Sequence, residues 1–141
     1  MRSSAEDKTF ALGLWLLLIS VPLGLTLEAL HALKVQVYLG SALRRELWTL
    51  AHAHGNLLGL LCLVFASIAG RCWPEPGARA FVLRCVRIAA ILMPLGFFLG
   101  GVLNYEGDPS YGVLLVPAGA AFLVIGLLRA VLSRSRSDAS A

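Results

Sequence analysis

Ionisable side chains near the ends of long apolar stretches are the chemically most informative residues of this sequence. A charge near the centre of a membrane costs about 2.5–3.5 kcal/mol on insertion scales, so an ionisable group there indicates a function. The candidate residues for such a function are Glu28, His31, His52, His54, Glu106 and Asp108. We expect these side chains to lie in the same half of the molecule, where they could meet.

Glu28 and His31 form a Glu-x-x-His pair on one face of a helix. This spacing lets a carboxylate and an imidazole bind the same ion, as in carboxylate-bridged helical bundles. A complete di-iron site needs two such pairs and two further glutamates, whereas this sequence contains a single pair. The alternative interpretation is a capping pair at the end of a helix.

His52 and His54 are two residues apart in the sequence Thr-Leu-Ala-His-Ala-His-Gly. On a helix they point about 200° away from each other, so only one imidazole faces the bundle interior. The sequence leaves open which one does. Gly55, which follows directly, would let a flat macrocycle or another helix approach closely. If a haem is present, one of the two histidines is an axial ligand.

The segment from Trp48 to Leu60, Trp-Thr-Leu-Ala-His-Ala-His-Gly-Asn-Leu-Leu-Gly-Leu, resembles the His-bearing second helix of haem-copper oxidase subunit I and its small relatives. In that family a His followed by a small residue and an apolar run binds the low-spin haem. The chain has three histidines, too few for the second haem ligand and the copper of those oxidases. The resemblance therefore implies at most a single haem or metal centre.

For a single centre, the available ligands are His31, one of the two neighbouring histidines, Glu28, and Glu106 or Asp108 from across the bundle. Two histidines with one or two carboxylates suit zinc, iron or copper. Two histidines on facing helix ends would suit haem b. The first hypothesis is therefore a haem b or transition-metal site with a redox or electron-transfer function.

Two other hypotheses need no metal. In the first of these, the protein is a membrane enzyme, or it has a binding pocket for a lipid-like ligand. Acidic residues and a histidine then act as acid, base or counter-charge at the mouth of a cavity that proline bends open. The residues in question are Glu28, His31, Glu106 and Asp108, with Pro22 and Pro94 at the bends.

In the other metal-free hypothesis, the protein is a packing subunit or scaffold of a membrane complex, and its polar groups fix the register of the helices.

Composition identifies the elements that must position these residues. Of the 141 residues, 58% are hydrophobic and 14% are charged, whereas a soluble domain is about a quarter charged. Four apolar stretches are longer than the roughly 20 helical residues needed to cross a bilayer. They are residues 9–30, 47–70, 80–103 and 111–132. We predict an all-α integral membrane four-helix bundle with up-down-up-down topology, a single domain over 1–132, and a disordered tail over 133–141.

The first stretch is predicted to be a retained helix and not a cleaved signal peptide. Glu6 and Asp7 interrupt the basic leader, and the apolar run is longer than the 7–15 residues of a signal core. It therefore counts as the first of the four spans.

The distribution of basic residues predicts the orientation of the four spans. The net charge of +4 is the balance of twelve Lys and Arg residues against eight Asp and Glu residues, and most of the basic residues fall on one predicted side. That side contains Arg2, Lys8, Arg71, Arg79, Arg84, Arg87, Arg129, Arg134 and Arg136. The positive-inside rule then places both termini in the cytoplasm and the loops 31–46 and 104–110 outside. The basic excess thus indicates topology and not nucleic-acid binding, and we expect a bacterial inner membrane protein.

Small residues recur on one face of each predicted span. The four sets are Gly13, Ser20 and Gly24; Gly55, Gly59, Cys62 and Ala66; Gly96 and Gly100; and Gly112, Gly119 and Gly126. Because lipid provides no hydrophobic force between helices, close backbone approach through small residues must hold them together. We expect a tight bundle, and the same faces could bind a membrane-protein partner or a second copy of the chain.

Overall fold

Helices make up almost all of the structure. A computed structural model of the chain describes residues 4–102, 104 and 107–138, with side chains described as far as Ser133. The helices are α1 (Ser4–Ala32), α2 (Gln36–Leu39), α3 (Ala42–Cys72), α4 (Pro76–Val102) and α5 (Leu115–Asp138), and a 3₁₀ turn at Tyr111–Leu114 precedes α5. No strand occurs in the described part of the chain, so the prediction of an all-α fold is confirmed.

Four helical segments within the described residues are long and apolar enough to cross a membrane. They are Ser4–Ala32, Ala42–Cys72, Pro76–Val102 and Tyr111–Ser133. Large apolar side chains remain exposed on them, for example Leu25 at 74% and Val124 at 63%, as expected for surfaces that face lipid tails. The chain is therefore a multi-pass membrane protein.

The ends of these segments differ from the predicted spans by a few residues. The helices extend into polar turns that a search for apolar runs does not detect. The segment predicted as a tail begins within α5, which is helical as far as Asp138, and residues 139–141 lie outside the described part.

The bundle is centred on α3 and α4. Helix α3 packs along both α1 and α4, and α4 packs along α5, whereas α1 and α4 touch only lightly. The main core cluster consists of Leu58, Cys62, Val86, Ala90 and Met93, and side chains of α1 and α5 pack against it. All four long helices therefore contribute to one four-helix bundle.

Small residues lie where the helices approach most closely, as predicted. A Cβ atom added to Gly13 of α1 would lie 2.8 Å from the carbonyl oxygen of Gly59 on α3. One added to Gly126 of α5 would lie 2.8 Å from the Cβ of Cys85 on α4. These small-residue faces are thus occupied by neighbouring helices of the same chain.

The two ends of the bundle can be defined by their tryptophans. At one end, Trp73 donates a hydrogen bond from Nε1 to the Ala130 carbonyl oxygen (3.0 Å), and Arg79 forms an ion pair with Glu6 (3.4 Å). This is the Trp73 end, where α1 and α4 begin and α3 ends. The opposite end, where α3 begins and α4 ends, is the Trp48 end.

Candidate functional site

His52 is directed from α3 towards α1. Its ring covers Gly24, whose Cβ, if one were added, would lie 2.3 Å from the His52 Cε1 atom. Nδ1 donates to the Ser20 carbonyl oxygen (2.7 Å), and Nε2 accepts from the Asn56 side-chain amide (3.3 Å). This assignment requires the tautomer protonated at Nδ1. Both ring nitrogens thus have partners within the protein, and His52 acts as a bridge between α3 and α1.

His54 is directed towards α4. Its ring packs against Phe97 with the ring centroids 4.7 Å apart, and Nδ1 donates to the Leu50 carbonyl oxygen one turn earlier (2.9 Å). The two histidines therefore contact different helices, as the predicted angle of about 200° between them requires. They do not form a pair directed at a common ligand.

Glu28 and His31 lie together near the Trp48 end. Both line an open cavity of about 480 Å³, together with Tyr38, Arg45 and Glu46. The His31 and Tyr38 rings meet edge-on with a centroid separation of 6.5 Å.

The two remaining candidate residues are not part of this cavity. Asp108 is exposed and is not among the lining residues. Glu106 lies outside the described part of the chain.

A metal or haem centre remains a prediction. Within the described residues, no group of three or more His, Cys, Asp or Glu side chains is arranged to hold a metal ion. An absorption spectrum and elemental analysis of the purified protein test this hypothesis. A Soret band or a stoichiometric metal would support it, and their absence would count against it.

A polar network at the Trp48 end was not predicted from the sequence. Arg44 donates from Nε to the Gly101 carbonyl oxygen (2.9 Å), from Nη2 to the Asn104 side-chain oxygen (2.8 Å), and from Nη1 to the Val37 carbonyl oxygen. Asn104 in turn donates to the Ser41 hydroxyl (2.7 Å). These bonds join the α2 region, the start of α3 and the end of α4.

An aromatic stack covers the same end. The Trp48 ring stacks between those of Tyr38 and Phe98, with centroid separations of 6.2 and 5.6 Å. Trp48 also donates from Nε1 to the Phe98 carbonyl oxygen (3.2 Å). The contact of Trp48 with Tyr38 was not predicted from the sequence, because it depends on how the helices pack.

An apolar crevice separates α1 from α4. It has a volume of about 390 Å³, and its lining includes Trp15 and Ile19 of α1, Pro94, Leu95 and Phe98 of α4, and Ala51 of α3. Since α1 and α4 both pack on α3 and only lightly on each other, α3 forms the floor of this crevice. Trp15 is 62% exposed and Leu95 42% exposed, so the crevice opens towards the surrounding lipid.

Comparisons with protein-family models, curated proteins and solved structures find no match for this chain.

Proposed function

We propose that this multi-pass membrane protein binds a lipid-like molecule in the crevice between α1 and α4. The observation that supports this proposal is the crevice itself, which has a volume of about 390 Å³ and an almost wholly apolar lining. Pockets for small molecules have volumes of about 300–1,000 Å³ and mostly apolar walls. A groove that opens into the bilayer is accessible to an acyl chain without passage through water.

Two helix prolines lie at or beside the crevice, in line with the lipid-ligand hypothesis. Pro94 is among its lining residues, and the lining residues Ser20 and Leu23 flank Pro22 on α1. The proposed ligand position differs from that hypothesis in one respect. Glu28 and His31 line a separate cavity, so they are not the polar groups at the mouth of this crevice.

We also propose that the Trp73 end faces the cytoplasm of a bacterial inner membrane, with the helices in up-down-up-down order. The positive-inside rule supports this orientation, because most of the basic residues lie at or before the start of α1, towards the end of α5 or near the α3–α4 loop. Labelling with a membrane-impermeant maleimide tests it in a variant with Asp108→Cys and the native cysteines replaced by alanine. Reaction in intact cells is expected, and reaction only after permeabilisation would contradict the orientation.

Obstruction of the crevice tests the proposed function. Leu95 lines the crevice and is 42% exposed, whereas Leu127 on α5 is 39% exposed and is not among its lining residues. Leu95→Trp and Leu127→Trp are thus the same change on two lipid-facing surfaces. Native mass spectrometry of each variant, purified in mild detergent, counts the lipid molecules retained per chain.

The wild type and Leu127→Trp are expected to retain lipid, and Leu95→Trp to retain at least about tenfold less, because the indole occupies the ligand volume. Circular dichroism checks that each variant is folded. Equal retention by a folded Leu95→Trp variant, or no lipid on the wild type, would contradict the proposal.

A further inference from the structure

The crevice continues towards the Trp73 end into a second, charged cavity. This cavity has a volume of about 330 Å³ and shares Leu12 and Ile91 with the apolar part of the crevice. Its other lining residues are Lys8 on α1 and Arg84, Arg87 and Ile88 on α4. The lining thus combines three cations with three apolar side chains and includes no carboxylate. One continuous groove therefore has a cationic end and an apolar body.

Among the residues that line this cavity, Arg87 has a buried polar atom without a partner. It lies eleven residues after Pro76, about 16 Å along α4 at 1.5 Å per residue, and thus within the candidate span. Its Nε atom is buried and has no hydrogen-bond partner. A buried charged donor without a partner is costly, so such groups are normally paired. An arginine within a membrane span therefore indicates a ligand or a function.

Other arginines at the Trp73 end are paired with carboxylates. Arg79 lies 3.4 Å from Glu6, and Arg129 lies 3.6 Å from Glu75. The fold therefore supplies counter-ions to these two basic residues at the same end of the bundle. The cations that line the crevice face a cavity instead, and an anion bound there would supply the missing charge.

We propose that the crevice binds an anionic phospholipid, with its phosphate against Lys8, Arg84 and Arg87 and an acyl chain along the apolar part. This inference rests on the proposed function and adds the class of ligand. A guanidinium binds phosphate through paired hydrogen bonds, and the exposed Lys8 and Arg84 contribute charge from the two helices that flank the crevice. Basic pockets between membrane helices on the cytoplasmic side are a recurrent site for phospholipid headgroups.

A lipid fits the groove better than a soluble phosphate. The phosphate alone would fill only the cationic cavity, whereas Leu12 and Ile91 lead directly from that cavity into the apolar part. The headgroup and the chain of one molecule account for both parts together.

The test is a competition between two headgroups on the same acyl chains. The full-length protein is equilibrated in detergent with equal amounts of phosphatidylglycerol and phosphatidylcholine, and native mass spectrometry gives the ratio of the two lipids retained. Arg87→Gln removes the guanidinium whose Nε atom is buried. Arg71→Gln, an exposed arginine at the same end that does not line the cavity, is the matched control.

The wild type and Arg71→Gln are expected to prefer phosphatidylglycerol by about tenfold. Both lipids carry a phosphate, but phosphatidylglycerol brings a net negative charge to the three cations, whereas the choline ammonium of phosphatidylcholine is repelled by them. In Arg87→Gln the preference falls towards unity while the total lipid retained stays similar, because the apolar part is unchanged. Lys8 is an exposed residue at the start of α1, and Lys8→Gln is expected to lower the preference for phosphatidylglycerol as well. This second variant replaces Arg87→Gln in the test if Arg87→Gln does not fold.

The outcomes separate the two proposals. Retention of lipid by the wild type without a headgroup preference, or a preference unchanged in both Arg87→Gln and Lys8→Gln, would overturn this inference and leave the proposed function standing. The absence of any retained lipid would overturn both. Displacement of the lipid by glycerol 3-phosphate would also overturn the inference, because the site would then recognise a soluble anion.

Discussion

Arg44 connects three parts of the chain at the Trp48 end. Its guanidinium bonds to acceptors in the α2 region, at the end of α4 and in the loop that follows α4. The guanidinium also lies over the Trp48 ring, 5.8 Å from its centroid. An arginine is suited to this position because its planar guanidinium group presents several hydrogen-bond donors in fixed directions.

Arg44→Lys is expected to lower the free energy of unfolding by about 1–3 kcal/mol, because an ammonium group cannot reach all three acceptors. The neighbouring Arg45 makes one such bond, to the Leu39 carbonyl oxygen, which a lysine can also make. Arg45→Lys is therefore expected to change stability by less than about 0.5 kcal/mol. Thermal unfolding in detergent, followed by circular dichroism, compares the two. Equal losses would contradict the role assigned to Arg44.

The contact between Gly24 and His52 predicts that a larger residue at position 24 destabilises the protein. Gly24→Ala places a Cβ 2.3 Å from the imidazole, which must then leave its bonds to Ser20 and Asn56. We expect a loss of about 1–2 kcal/mol. In a His52→Ala background the same change is expected to cost little, so the double-mutant cycle shows coupling of at least about 1 kcal/mol. Additive effects would show that the contact is absent.

The sequence predicted the divergence of the two histidines but not the partners of the arginines. The direction of His52 relative to His54 follows from the helical repeat alone. Arg44, by contrast, bonds to residues 57 and 60 positions away, and such pairings depend on the rotation and register of packed helices. For the same reason, no sequence pattern indicated that Glu28 and His31 would share a cavity with Glu46.

The helices associate through their small residues. Gly13 and Gly59 bring the backbones of α1 and α3 together, and Gly126 does the same for α5 and α4. This feature was predictable, because small residues at steps of three, four or seven define one face of a helix. The short helix α2 was not predicted, since its four residues lie in a region expected to be a loop.

Gly13→Ala tests the closest of these approaches between backbones. The new Cβ would lie 2.8 Å from the carbonyl oxygen of Gly59, and a backbone atom cannot move aside without separating the helices. We expect a loss of about 1–3 kcal/mol in unfolding free energy. The control is Gly70→Ala, where the nearest atom outside the helix backbone is an arginine side-chain nitrogen 3.4 Å away. A loss of stability no greater for Gly13→Ala than for this control would contradict close packing of α1 on α3.

At the scale of the whole molecule, the proposed function depends on a gap between helices. Because α3 holds α1 and α4 apart, the bundle has a groove along its lipid-facing surface. Hydropathy predicted the four spans and proline positions suggested a cavity, but neither could locate the groove. Its position depends on which helices are in contact, as does the alignment of Lys8 with Arg84 and Arg87 across it.

Fluorescence quenching of Trp15 tests the central claim most directly. Trp15 lines the crevice and is 62% exposed. A phospholipid brominated on its acyl chains is titrated into delipidated protein in a large excess of unlabelled detergent, where random encounters quench little. Subtraction of the Trp15→Phe variant isolates the Trp15 signal. The reference is Leu127→Trp in the Trp15→Phe background, which places the same fluorophore on the lipid-facing surface of α5.

We predict that quenching of Trp15 saturates at about one lipid per chain, as expected for a single binding site. Quenching of the reference tryptophan should instead rise slowly and without saturation. If Trp15 and the reference follow the same unsaturated course, the crevice does not bind a lipid and the proposed function is wrong.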